Sequence, residues 1–254
     1  MTKTKPHPLF SRLALLAGVV LLFASSPALA QEPTRLQNFS GGNNFGRAFD
    51  DKVRQTMVKE VPLIRQEGAR VVMANHRELK RLGFRTSPGA RHDHNLETSV
   101  INNFAFRPAT EAEVAAGKHT HLGLATRYAD AHGGETGVKG DGRAALTGEV
   151  VVKDRKGNIT GVYDIQVKGV GTGLAPNWKG FGHRHGKESL RQATEDALFS
   201  DYLSRNGIKT NKWLAVIDSG NDIVHPNGGR ERAGLLIRGG NFTVQEFTWP
   251  FKAE

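Results

Sequence analysis

Apolar positions along this chain change period, and the changes predict its elements. Strand-like runs occupy Ala144–Lys153 and Ile159–Val167, with the turn residues Gly157-Asn158 between them, so this stretch predicts a β-hairpin. In the second run Tyr163, Ile165 and Val167 share one face, and Asp164, Gln166 and Lys168 the other. A helical period follows in Lys187–Asn206: Leu190, Ala193, Ala197, Leu198 and Tyr202 form an apolar stripe, and Gly207 provides the stop. Shorter signals predict a strand at Arg70–Met73 and a helix from His76 to Leu82 ended by Gly83. A short helix is predicted in Pro108–Gly117, opened by the capping box Thr110-x-x-Glu113. Asp50–Gln66 reads as a helix that Pro62 would end or kink, and His121–His132 as another. Thr86–Asn95 and Leu174–Gly186 read as loops. Two further strands, Lys212–Asp218 and Ala233–Arg238, flank a polar turn over Ser219–Arg230.

The first residues follow a different logic. Lys3, Lys5 and Arg12 precede the apolar run Leu13–Ala24, which is short for a bilayer span, and Ala28-Leu29-Ala30 fits a small-x-small cleavage site. Residues 1–30 are therefore expected to be a signal peptide cleaved after Ala30, leaving a periplasmic or secreted protein without a membrane span. The competing reading is an uncleaved anchor. Gln31–Arg47 is polar and rich in Gly and Asn, so residues 31–68 read as a linker and N-terminal extension and 69–254 as the main domain. The chain has no cysteine, which rules out disulfides and lipoprotein attachment and leaves stability to a packed core. A net charge of +10 favours anionic partners. Aromatics at 7% give little sign of base-stacking platforms, so no nucleic acid is expected.

Candidate chemistry gathers at the hairpin. Gly140-Asp-Gly-Arg-Ala144 precedes it and Lys168-Gly-Val-Gly-Thr-Gly173 follows it, so two glycine-rich turns each carry one cation, Arg143 and Lys168. Glycine lets backbone N–H groups approach a ligand, and a guanidinium with an ammonium suits phosphate oxygens. Neither turn is a dinucleotide fingerprint or a P-loop. The plain alternative is a hairpin with ordinary turns and two solvated basic residues. In the long helix Asp201 falls near the middle of the apolar stripe, flanked by Glu195 and Asp196, and an acid on a buried face needs a cation. The order strand, strand, helix, strand, strand, with a strand lysine and a helix acid, follows the logic of a kinase small lobe. Three close histidine pairs, His92/His94, His119/His121 and His183/His185, could ligate zinc, but solvated loop histidines are the plainer account and no metal site is assigned to them.

These residues resemble the SelO (YdiU) family of pseudokinase-fold protein adenylyltransferases. Gly140-Asp-Gly-Arg-Ala144 with Gly148-Glu149 matches the family's Gly-Asp-Gly-Arg-Ala…Gly-Glu, and Asp164-Ile-Gln-Val-Lys-Gly169 with Gly171 matches its Asp-x-x-Leu-Lys-Gly-x-Gly. Leu190-Arg191, Gly207-Ile208 and Leu236-Ile-Arg238 match later segments, and Ala69-Arg70…Asn75…Glu78-Leu79…Leu82-Gly83 an earlier one. The resemblance covers roughly residues 69–240.

It implies an α+β fold with a protein-kinase-like small lobe: an antiparallel sheet plus one main helix, here with an N-terminal helical extension. It implies ATP with Mg2+ as cofactor and AMP transfer to protein hydroxyls. Gly140, Gly142, Arg143, Lys168 and Arg238 would contact the nucleotide. Asp196 stands where the family's lysine-pairing glutamate does, with Asp201 or Glu195 as alternatives. The chain departs from the family at Gly186-Lys-Glu-Ser189, where a second Gly-Asp-Gly-Arg belongs, and at Gln245, where a second arginine belongs. The chain is expected to stop before the large lobe that carries the metal ligands and the base, so no catalytic residue is assigned. The expected function is a SelO-like ATP-binding domain, inactive in AMP transfer alone, whose partners are the nucleotide and a protein substrate or a protein supplying the large lobe. Two alternatives remain: a secreted non-catalytic binding module for anionic ligands or proteins, and a His-based metal hydrolase. The aromatic residues Phe242, Phe247, Trp249 and Phe251 are expected either to cover the lobe's open face or to form an exposed patch.

Overall fold

The computed structural model describes residues 35–37, 58–87, 93–126, 138–139, 143–171, 186–240 and 249–250. The chain divides into two compact units, Met1–Glu32 and Pro33–Glu254, and the first, with the cleavage site read at Ala30, lies outside the described residues. The strands are β1 (Leu36–Gln37), β2 (Val58–Arg65), β3 (Arg70–Ala74), β4 (Phe106–Pro108), β5 (His121–Thr126), β6 (Val138–Lys139), β7 (Ala144–Lys153), β8 (Ile159–Lys168), β9 (Glu188–Ser189), β10 (Lys212–Val224), β11 (Arg230–Gly240) and β12 (Trp249–Pro250). The helices are α1 (His76–Arg81), α2 (His94–Phe104), α3 (Glu111–Ala115) and α4 (Leu190–Arg205).

The second unit is mixed α+β, a curled antiparallel sheet with few helices. Its ten strands run β3-β10-β11-β8-β7-β5-β2-β4, with β1 added on β7 and β9 on β11, while β6 and β12 pair separately. The main core lies on one face, where Ile165, Val167, Ala215 and Ile237 from the sheet meet Leu79 of α1 and Val100 and Phe104 of α2. On the other face Ala193 and Ala197 of α4 pack on Val216 and Leu236.

The hairpin forms as its pattern predicts. Tyr163, Ile165 and Val167 point to the main core, and Asp164, Gln166 and Lys168 to the opposite face. Its turn is closed by Asp154, whose carboxylate accepts the N–H groups of Lys156 and Asn158 at 2.8 and 2.9 Å, with Gly157 at φ +86°. The predicted α1 and α3 are also present, α3 with its complete capping box.

Four expectations are corrected. Asp50–Gln66 is not helical where it is described: β2 runs from Val58 to Arg65, with Val61 and Leu63 buried, and pairs with β5 and β4. Two strand partners override the local helical pattern, and the extension expected to be helical over residues 31–68 supplies strands β1 and β2 to the sheet. His121–Thr126 is likewise a strand, not the start of a helix. Gly123 permits its approach, since a Cβ there would meet Leu63 Cδ1 at 2.7 Å. The loop expected at Thr86–Asn95 gives way at His94 to α2, capped by Asp93, whose Oδ1 accepts the Leu96 N–H at 3.1 Å. The polar turn expected at Ser219–Arg230 is mostly strand. β10 continues through an irregularity between Asp218 and Asp222, where Asp218 accepts the Gly220 N–H and both Arg70 and Arg232, and the turn itself is confined to His225–Gly229.

Helix α4 begins at Ser189, whose hydroxyl accepts the Gln192 N–H, and ends before Gly207 at φ +78°. Its buried stripe is narrower than predicted. Ala193 and Ala197 face the sheet, but Leu198 and Tyr202 are 55% and 63% exposed. Two alanines let the helix lie close, and Gly234 completes the fit: a Cβ there would stand 2.7 Å from the Leu190 Cα. Among the described residues no helix is long and apolar enough to cross a membrane. Of the C-terminal aromatic group, Phe242, Phe247 and Phe251 lie outside the described residues, and Trp249 pairs through its backbone with Lys139.

Candidate functional site

Arg143 precedes β7, and Lys168 ends β8 directly opposite Ala144. Antiparallel pairing therefore brings both cations to one end of the hairpin, where the Gly169 N–H donates to the Arg143 carbonyl at 2.7 Å. Neither is solvated: Arg143 is 9% and Lys168 8% exposed, which corrects the plain reading of two loose basic side chains. Each is buried because an anion meets it.

Those anions are Glu188 and Asp196. Arg143 Nη1 donates to Glu188 Oε2 at 2.7 Å, and Lys168 Nζ lies 3.3 Å from Glu188 Oε1 and 2.6 Å from Asp196 Oδ2. The four groups form the sequence Arg143–Glu188–Lys168–Asp196, with two positive and two negative charges. Gln192 Oε1, one helical turn before Asp196, accepts from Arg143 Nη1 at 3.3 Å. The Glu188 side chain has no exposure, whereas 36% of that of Asp196 is exposed. Burial pushes the Glu188 carboxyl above the usual carboxylate range, and Lys168 and Arg143 oppose that shift.

Glycine builds the socket for Glu188. Gly169 has φ +98°, and a Cβ there would fall 2.4 Å from the Gly234 carbonyl oxygen and 2.8 Å from Glu188 Cβ. This glycine of the turn after β8 thus admits β9 and its carboxylate, a packing role distinct from cradling a ligand. At Gly171, φ +83°, an added Cβ would meet only the Lys187 side chain within 4 Å among the described residues.

The remaining candidates separate. Asp201 pairs with Arg205 at 2.6 Å and Glu195 with Arg191 at 2.7 Å, so Asp196 is the helix acid that reaches Lys168. Arg238 stands on β11 opposite Gln166, on the sheet face that carries Lys168 and one register step farther along. Gly140 and Gly142 lie outside the described residues, as do His92, His183 and His185. Asp93, between His92 and His94 in sequence, caps α2. His94 lies 3.7 Å from Glu97, and His121 stacks against Phe106 with ring centroids 4.7 Å apart. Among the described residues no group of three His, Cys, Asp or Glu side chains could hold a metal. Sequence reasoning missed Glu188 and Gln192. The signal for Gln192 was its spacing of four from Asp196; Glu188 had no local signal, because its partners Lys168 and Arg143 lie 20 and 45 residues away.

A strand lysine and a neighbouring arginine, held by one buried and one helix-borne carboxylate on an antiparallel sheet, define a protein with a paired charge cluster on an α+β scaffold. The family model described as protein adenylyltransferase SelO matches residues 48–244, and the chain belongs to this family. Among curated relatives, the protein nucleotidyltransferase YdiU of Clostridium perfringens is 29% identical over 144 residues, 56% of this chain and 27% of the relative. The YdiU protein of Lachnoclostridium phytofermentans is 34% identical over 131 residues, 50% of this chain and 24% of the relative. That of Synechococcus sp. is 33% identical over 104 residues, 39% and 18% of the two chains. The matched part of the chain therefore spans about a quarter or less of the curated relatives.

Proposed function

We propose that the unit from Pro33 to Glu254 is the nucleotide-binding part of a protein adenylyltransferase and corresponds to a kinase-like small lobe. The observation that carries this reading is the pairing of the nearly buried Lys168 with Asp196, 2.6 Å apart, in a chain of the SelO family. Lys168 has three N–H donors, and its two carboxylate neighbours leave one for a phosphate oxygen. Arg143 and Arg238 would supply further positive charge toward the phosphates, and Gly140 and Gly142 a close backbone approach. Buried cations of fixed position suit polyphosphate better than mobile surface lysines, because little ordering remains to be done on binding. In AMP transfer a protein hydroxyl oxygen bonds to the α-phosphorus of ATP, the bond to the β-phosphate oxygen breaks, and pyrophosphate leaves. The described residues offer no ligand set for Mg2+, so no step is assigned to it here. The base and the metal ligands belong to the large lobe of the whole enzyme. Residues 1–30 are proposed to direct export.

Calorimetric titration with ATP and Mg2+, on the parent chain and on Lys168→Ala, tests the reading. Binding that is lost in the variant while its fold persists by circular dichroism supports it. Equal heats in both proteins overturn it.

A further inference from the structure

Arg143 and Lys168 occupy adjacent strand ends, and both are nearly buried. Two like charges so placed repel strongly in a low dielectric unless an anion lies between them. Glu188 is that anion, and it touches both cations. Asp196 touches only Lys168, and its side chain is partly open to water. The two carboxylates are therefore unequal. Removing the charge of Asp196 leaves Lys168 with Glu188, whereas removing the charge of Glu188 takes away the carboxylate that both buried cations share and leaves Lys168 to the partly exposed Asp196.

We propose that Glu188 is the positioning residue that holds Lys168 and Arg143 in place for phosphate, with Asp196 as the second and more exposed partner of Lys168. This rests on the nucleotide-binding reading for its ligand but not for its geometry. The fold supports the assignment. The Glu188 backbone is fixed by β9 pairing with Gly234, and Gly169 leaves the space its Cβ occupies. Asp196 sits on an α4 face that a ligand can reach from solvent. The raised pKa of Glu188 fits a carboxylate whose charge is costly to bury and is retained by two cations.

The test compares Glu188→Gln, Glu188→Asp and Asp196→Asn in the full chain with two readouts. One is the titration of the Lys168 ammonium by NMR with labelled lysine; the other is the Kd for ATP with Mg2+. Glu188→Gln is expected to lower the Lys168 pKa by about one unit or more and to weaken ATP roughly tenfold or more, because a buried cation loses its buried counter-charge. Asp196→Asn is expected to lower the lysine pKa less and to weaken ATP by less than Glu188→Gln does, as a partly exposed partner is screened by water. Glu188→Asp keeps the charge and should titrate like the parent, although it is shorter. A purely steric role would reverse this, with the isosteric Gln behaving like the parent and Asp not. Asp196→Asn lowering the Lys168 titration by about one unit or more overturns the proposal, and this arm decides alone if Glu188→Gln does not fold. Absence of ATP binding in the parent removes the nucleotide reading, while the lysine titration still decides the role of Glu188.

Discussion

Lys168 and Asp196 lie 28 positions apart in sequence, yet their side chains meet at 2.6 Å. One comes from the end of a strand and the other from the second turn of the helix that crosses the sheet behind it. The contact depends on how closely α4 approaches the sheet, which Ala193, Ala197 and Gly234 determine. Changes at either level, in charge or in packing, should therefore be readable at the site.

The three helix acids should not be equivalent. Asp201 and Glu195 pair with exposed arginines on their own helix, so Asp201→Asn should cost about 0.5 kcal/mol or less. It should also leave the Lys168 titration unchanged. Urea denaturation with the lysine NMR signal checks both, and a lysine shift in Asp201→Asn would mean that the wrong acid has been paired.

The glycines should rank by space. Gly169→Ala combines a left-handed φ with a 2.4 Å contact to the Gly234 oxygen, so it should destabilise by about 2–5 kcal/mol. Gly157→Ala has nothing within 4 Å and should cost only its backbone strain, about 1–2 kcal/mol. Chemical denaturation of the two variants side by side tests the order.

The core under the hairpin should be sensitive to truncation at α2. Phe104 is fully buried, with its ring centroid 5.5 Å from that of Phe84. Phe104→Ala should cost about 3–5 kcal/mol, through lost burial and the cavity left behind. A drop below about 1 kcal/mol in urea would mean that this helix does not pack as described.

Acid should act through Glu113. Arg107, then the Thr110 N–H, hold its carboxyl down at about 2, against an ordinary value of 4.5. The folded value lies below the unfolded one, so the stabilisation is complete above the unfolded value and is lost as pH falls from 4.5 toward about 2. Glu113→Gln should flatten this part of the stability–pH curve and leave the neutral region comparatively unaffected. Melting temperatures measured across that range provide the check.

Local rules made much of this molecule legible. The hairpin and its faces, α1, the capping box of α3 and the long helix all follow from periodicity and caps within a few residues, where the physics is local. The two cations of the charge cluster, Arg143 and Lys168, were visible beside two glycine turns. Helix α2 was also within reach, since Leu96, Val100 and Phe104 recur every four residues behind a capping Asp93. β2 and β5 were not legible in this way: each is a strand because neighbours on both sides supply ladder partners, and those neighbours are far away in sequence.

The residue types by themselves determined that this chain carries a basic, glycine-flanked hairpin and a helix with acids in need of partners. Only the tertiary structure decided which acid meets which cation. Helical spacing left Glu195, Asp196 and Asp201 as near-equals, and the close seat of α4 on Val216 and Leu236 turned Asp196 toward Lys168 while the other two found arginines in water. Glu188 was beyond any local reading. Its role arises because β9 pairs with β11 beside the hairpin's end, and burial there makes one carboxylate the common counter-charge of two cations.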